Sequence, residues 1–224
     1  MIGMTLEEIR TQAKDRADMI NSKFVSDAEW LRYINGSYAE LYDLLTTTFE
    51  DYYTIDTDLS ITSGHTVPLP ADTYKVAGVS LRISTGTYIP MLKFNWNNRD
   101  IKASATLSYL GRPMVQYRLV KDNLYITPTD CAVGTYKLWY IPTFTPLVAD
   151  SDTTEAMQRW DDLIVISAAI KALSKEESDT KELFKEREEM IARIKASANN
   201  RDTGMPETIQ DVNAMRYNTV WGGW

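Results

Sequence analysis

Polar and apolar positions divide this chain into three stretches of different period. Leu6, Ile9, Ala13, Ala17 and Ile20 recur at spacings of three and four, as one face of a helix does. Leu31, Ile34, Tyr38, Leu41 and Leu45 repeat the pattern. Each run follows a start signal. Thr5 with Glu8, and Ser26 with Glu29, have the spacing of a capping box, in which the hydroxyl accepts from an early amide and the carboxylate reaches back. The pattern predicts helices over residues 5–20 and 27–48, with a short connector that favours a hairpin or corner.

From about residue 52 to 147 the pattern shifts towards alternation. Runs at 53–57, 76–83, 115–120 and 136–141 are dense in β-branched and aromatic residues and alternate or nearly alternate, as half-buried strands do. Turn residues separate them at Ser63-Gly64, Thr85-Gly86, 121–123 and Val133-Gly134. Residues 115–120 and 124–127 read as a hairpin, followed by a strand at 135–141. Pro68 and Pro70 frame a short edge segment, because proline cannot donate to a ladder. Residues 94–112 leave a short helix and an exposed loop both open.

Residues 154–198 contain neither glycine nor proline. Leu163, Ile166, Ala169, Ile170 and Leu173 form one stripe; Leu183, Met190, Ile191 and Ile194 form a thinner one. Ser178 and Asp179 interrupt the pattern, and both residue types favour helix starts over helix middles. Two helices are expected, about 156–177 and 179–199, paired as a hairpin; one continuous helix is the alternative. From Thr208 to the end no helical period is evident. Yet a tail that simply dissolved should be polar, and this one carries Met205, Val212, Met215, Tyr217, Val220, Trp221 and Trp224. Aromatic side chains are common interface anchors, so the expectation is an extended arm that docks on another protein, with packing onto its own domain as the alternative. The fold class expected is α+β: a bundle of about four helices from both chain ends (1–51 and 152–200), an inserted antiparallel β region (52–151) and an extended C-terminal arm (201–224).

Composition narrows the chemistry. The net charge of −7 over 224 residues disfavours a protein that wraps nucleic acid, whose affinity comes mainly from neutralised phosphates; it is compatible with lining a channel through which DNA slides. The one cysteine, Cys131, allows no internal disulfide. The first residues lack a signal peptide's basic and apolar regions, and no run reaches the ~18 apolar residues of a membrane span. A protein kept in a cytoplasm, or in a particle assembled there, is expected. His65 is the single histidine, so a His/Cys metal site is excluded by counting, and no cofactor loop is present. The carboxylate pairs Glu50/Asp51 and Asp161/Asp162 could in principle serve glycoside chemistry, which needs two carboxyl groups about 5–10 Å apart. Helix caps and solvated charge are their ordinary use. Asp150, Asp152 and Glu155 precede a helix start, where negative charge suits the dipole.

Several phrases resemble the head-to-tail connector (adaptor) proteins of tailed bacteriophages. They are the opening Met4-Thr-Leu-Glu-Glu-Ile-Arg, the helix around Ser26-Asp-Ala-Glu-Trp-Leu-Arg-Tyr, Thr66-Val-Pro-Leu-Pro-Ala-Asp, Leu138-Trp-Tyr-Ile-Pro, and Trp160-Asp-Asp-Leu-Ile-Val-Ile with Lys175-Glu-Glu-Ser-Asp. The resemblance covers most of residues 4–212. It implies a non-enzymatic virion subunit without cofactors, assembled in the host cytoplasm. Copies would form a ring of about twelve at the head-tail junction, each contact heterologous and closed by rotation. The portal protein would bind above and a tail or nozzle protein below, with DNA passing through without specific binding. By position, 205–224 would be the portal-binding arm, and Trp30, Tyr33, Tyr42 and Trp160 on the helices would carry subunit contacts. A tail-tube or tail-completion subunit, in which the β region makes the ring, is the alternative; a glycan hydrolase is a more distant one.

Overall fold

The computed structural model describes residues 3–49, 53–98, 108–109, 112–113, 115–155 and 160–198. Two helices open the chain, α1 (Leu6–Arg16) and α2 (Asp27–Thr48). Both capping boxes are made: Thr5 and Ser26 accept from the amides of Glu8 and Glu29, whose carboxylates accept from the cap amides. Each cap is worth about 1 kcal/mol, enough to set where a helix begins. The end of α1 departs from the expected residue 20. Asp18 adopts a left-handed conformation (φ 54°) and stops the helix. Leu6, Ile9, Ala13 and Ala17 are buried as their spacing implies, but Ile20 lies beyond the break and is 62% exposed.

The strands follow: β1 (Ile55–Ile61), β2 (Thr66–Pro68), β3 (Thr73–Ser84), β4 (Thr87–Pro90), β5 (Leu92–Lys93), β6 (Ser108–Tyr109), β7 (Arg112–Pro113), β8 (Gln116–Val120), β9 (Asn123–Thr127) and β10 (Gly134–Pro142). They form two four-stranded sheets, ordered β1-β10-β3-β4 and β2-β9-β8-β5, and the small ribbon β6-β7. The hairpin β8–β9 turns at Lys121 (φ 52°) and pairs Val120 with Asn123. The β2 segment, with Pro68 in it and Pro70 just beyond, is an edge strand as expected. Pairing is antiparallel except for β5 with β8. Phe94 is buried, and a single 3-10 turn follows it at Trp96–Asn98. The two sheets share one core, with Ile61, Val79, Leu138 and Tyr136 on one side and Tyr117, Leu124 and Ile126 on the other.

Two further helices close the described chain, α3 (Asp161–Glu176) and α4 (Lys181–Ala198). They are separate helices: Glu177 is left-handed (φ 61°), and the Ser178 amide bonds back to the Leu173 carbonyl, which terminates α3. α3 is the central helix, nearly buried from Leu163 to Ile170 against α1 and α2. α4 is amphipathic and attached along one side, with Ile194 its most buried residue.

The ends of the β insertion belong to the helical core. Tyr53, Ile141, Phe144 and Leu147 pack with α2 and α3. Asn35 clamps the Leu147 backbone, its amide donating to the carbonyl and its oxygen accepting from the N–H, both at 2.9 Å. The Tyr42 hydroxyl donates to the Pro142 carbonyl at 2.6 Å. The chain's opening is tied down as well: Leu6 N–H donates to Asp152, and Thr154 N–H to Met4. At Gly3 a Cβ would lie 2.2 Å from the Thr154 carbonyl oxygen, so only glycine fits this approach.

Candidate interaction surfaces

The four aromatic residues expected on the subunit surface divide into two pairs. Trp30 is 0% exposed and sits edge-on to Tyr33 at 6.4 Å between ring centres. Tyr42 is 4% exposed and packs against Tyr53 and Phe144. Both serve the chain's own helical core and offer no surface to a neighbour in this conformation. α2 is enclosed over more of its circumference than one stripe predicts, because the segment 141–147 covers a second side of it. Tyr33 and Trp160 are half-buried; Trp160 stacks on Phe49 at 5.4 Å. Met205, Val212, Met215, Tyr217, Val220, Trp221 and Trp224 lie outside the described residues.

A groove of about 350 Å³ runs between α2, α3 and α4. Its apolar part is Leu44, Leu163 and Ile191, and Thr47, Thr48 and Lys195 line one part of it. Glu40 of α2 is the hub of a polar network there. It accepts from Lys171 of α3 at 3.0 Å and from Arg187 of α4 at 2.9 Å. Lys171 also reaches Ser37, and Arg187 reaches Ser167, each at 3.0 Å. These ion pairs are about half exposed, so each contributes less than about 1 kcal/mol. Their consequence is register: three helices meet at one carboxylate. Residues 131 and 147 positions apart converge on Glu40, and nothing in their local spacing announces it.

At the other end of α2, Lys175 donates to Glu29 at 2.9 Å and to the Phe24 carbonyl at 3.0 Å. The Lys175 contact, with the Ser26 bonds, holds the Glu29 carboxyl down at about 2. The folded pKa is depressed, so this contribution is present above the unfolded value of 4.5 and lost as pH falls through about 2. A Glu29→Gln variant is therefore expected to lose less stability than the parent between pH 4.5 and 2, read from urea unfolding at each pH. Parallel acid limbs would show that the contact carries no linkage.

The groups that could do chemistry are placed structurally. His65 packs edge-on against Tyr125 at 4.5 Å. Cys131 is partly exposed. Asp161 is buried at the start of α3, where it accepts from the Thr154 hydroxyl and from the Met4 amide at 3.3 Å. Those two bonds make it a tether between chain start, loop and helix. Asp152 accepts from the Val148 and Ala149 amides, which hold its carboxyl below the usual range. Glu50 and Asp51 lie outside the described residues. Among the described residues, no group of three or more His, Cys, Asp or Glu could hold a metal, and no helix is long and apolar enough to cross a membrane.

Among the described residues, two cores are tied by polar clamps, and these polar side chains cap helices or tether segments. A family model described as SU10 adaptor protein matches residues 4–212, and the chain belongs to that family of phage head-to-tail adaptors. It is accordingly a bacteriophage structural protein and a virion component that interacts with other head or tail proteins. No curated protein matches the chain.

Proposed function

We propose that this protein is a ring subunit of the head-to-tail connector, with the portal protein above it, a tail or nozzle component below, and DNA passing through its centre. The observation that carries this reading is the family match over 4–212, read beside an aromatic final segment. Residues 213–224, with Met215, Tyr217, Val220, Trp221 and Trp224, lie beyond the matched part. Each such aromatic side chain removes about 150–250 Å² from water when it docks, which offsets the ordering entropy of an arm. The arm 205–224 binds the portal. Neighbouring copies, about twelve, meet through helical faces that include the part-exposed Tyr33 and Trp160, while Trp30 and Tyr42 support those faces from inside.

Deleting 205–224 is the test. Portal binding in a pull-down or by electron microscopy of mixed rings is expected to be abolished, while circular dichroism and melting stay close to the parent. Full portal binding by the truncated protein would refute the arm assignment. Cross-links that join residues 75–140 to tail proteins, with none to the portal, would favour a tail-tube subunit instead.

A further inference from the structure

Residues 20–24, at the corner between α1 and α2, are five consecutive exposed positions. Ile20 and Phe24 are 62% and 49% exposed, yet the flanking Met19 and Val25 are buried in the helical core. The corner is held in place. The Phe24 amide donates to the Ser22 hydroxyl at 3.2 Å, and the Ser22 amide to the Met19 carbonyl at 3.2 Å. Lys175 of α3 donates to the Phe24 carbonyl at 3.0 Å and lies 4.8 Å from the centre of its ring. The result is a preorganised apolar knob, ordered by the folded chain before any contact is made.

A matching recess lies towards the other end of α2. The groove between α2, α3 and α4 has Leu44, Leu163 and Ile191 as its apolar part, and its volume of about 350 Å³ suffices to take up apolar groups. Every α2 residue lining it falls within 37–48, whereas the knob precedes the first residue of that helix. The helical rise puts about 15–30 Å between the two, so a knob does not reach its own groove. Charge agrees in both signs. The corner carries Asp18 and Lys23, both exposed and neither in an ion pair among the described residues. The groove carries Asp43 and Lys195. Asp43 meets Tyr74 and Lys75 through Oδ1 alone, and its side chain remains 62% exposed. Lys23 therefore has an anion to meet, and Asp18 a cation; such pairs set register and specificity more than affinity.

We propose that the 20–24 corner of one copy seats in the α2–α3–α4 groove of the next copy of this chain, as the contact between ring neighbours. The inference rests on the ring reading above for its closure; the pairwise contact needs no portal. Knob and groove are different surfaces, so the contact is heterologous. Each joined pair still offers one knob and one groove, and repetition by a fixed rotation closes a ring. Because the two surfaces sit towards opposite ends of α2, that helix lies across the ring axis rather than along it. Assembly covers the exposed Ile20 and Phe24, apolar surface that invites unspecific association on the lone subunit.

Cysteine cross-linking of the full chain tests this in a Cys131→Ser background, which removes the one native thiol. Asn21→Cys marks the corner and Thr47→Cys the groove; both positions are exposed. Within one chain α2 holds them too far apart for a disulfide, whose Cα atoms stand within about 7 Å. Mixed single variants under oxidised glutathione are expected to form the mixed dimer about tenfold faster than Asn21→Cys mixed with Ser60→Cys, because the contact raises the local thiol concentration. Adding Phe24→Asp to the corner partner should bring the rate down to that control. Equal rates in the two mixtures, or a rate that Phe24→Asp leaves unchanged, would overturn the proposal. Equal rates with Thr47→Cys shielded from a maleimide would overturn it too, assigning the groove to the chain's own residues. Ring formation on the portal, followed by electron microscopy, is a separate readout. Rings built by the Phe24→Asp protein would refute the contact and leave the ring reading standing. Fast mixed cross-linking by a protein that builds no ring would keep the contact and refute the ring.

Discussion

Replacing Trp30 by alanine is expected to destabilise the protein by about 3–5 kcal/mol, the cost of deleting a large buried aromatic and leaving a cavity. Trp30 is 0% exposed among residues of α1, α2 and α3, so little can collapse into the space. Against a total stability of about 5–15 kcal/mol, that is a large share, and the melting temperature should fall by about 10–15 °C. Trp30→Phe separates volume from hydrogen bonding. The indole Nε1 makes no hydrogen bond, so phenylalanine gives up no polar contact and should cost about 1–2 kcal/mol. The measurement also decides between two uses of the residue. A subunit-contact role predicts an unchanged melting point and impaired ring formation; a core role predicts the reverse order of effects. A Trp30→Ala protein that melts with the parent would refute the packing described for α2.

The second large effect is expected at Asp161. Its carboxyl accepts from the Thr154 hydroxyl and the Met4 amide while only 3% exposed. Asp161→Ala strands both donors and should cost about 3 kcal/mol at neutral pH. Asp161→Asn keeps an acceptor for the Met4 amide, and the Thr154 hydroxyl can turn to accept from the new amide, so it should cost less. The two proteins also differ in pH dependence. Burial pushes the Asp161 carboxyl up, against the opposing pull of its two hydrogen bonds. A carboxyl whose folded pKa lies above its unfolded value contributes most when protonated, below the unfolded 3.8, and loses that contribution as pH rises through the folded value. The parent should therefore gain stability relative to Asp161→Asn as pH is lowered from neutral, opposite in sign to the Glu29 linkage. Urea unfolding of both proteins across pH 7 to 4 reads this difference. A constant gap would mean that burial does not govern the carboxyl.

Local signals placed most of the elements. The Thr5–Glu8 and Ser26–Glu29 pairs set two helix starts because capping bonds span only three residues. The α2 limits and the β8–β9 hairpin followed from period and turn chemistry. Departures came where a backbone choice outweighed the side-chain pattern. Ile20 fits the α1 stripe in sequence, but left-handed Asp18 takes it out of the helix. The parallel pairing of β5 to β8 joins two-residue and five-residue strands across a long connection, and no alternation that short is readable.

The surface was less legible than the fold. Tyr42 stands off the main α2 stripe, which reads as an outward face if one stripe is the whole core, whereas Trp30, four residues before Ile34, falls on the stripe itself and is buried with it. The return of residues 141–147 gave α2 a second buried side. Glu40, Lys171 and Arg187 carry no local motif, and only the packing of α2, α3 and α4 brings them together.

The order of the helices, the first two helix starts, the β8–β9 hairpin and the fold class are properties of the sequence alone, since propensity, period and capping act over a few neighbouring residues; α3 begins at Asp161, five residues after the expected start. Which aromatic rings face inward and which carboxylate ties the chain start to α3 were decided by tertiary structure. Those outcomes depend on contacts between residues a hundred or more positions apart, and local spacing holds no record of them.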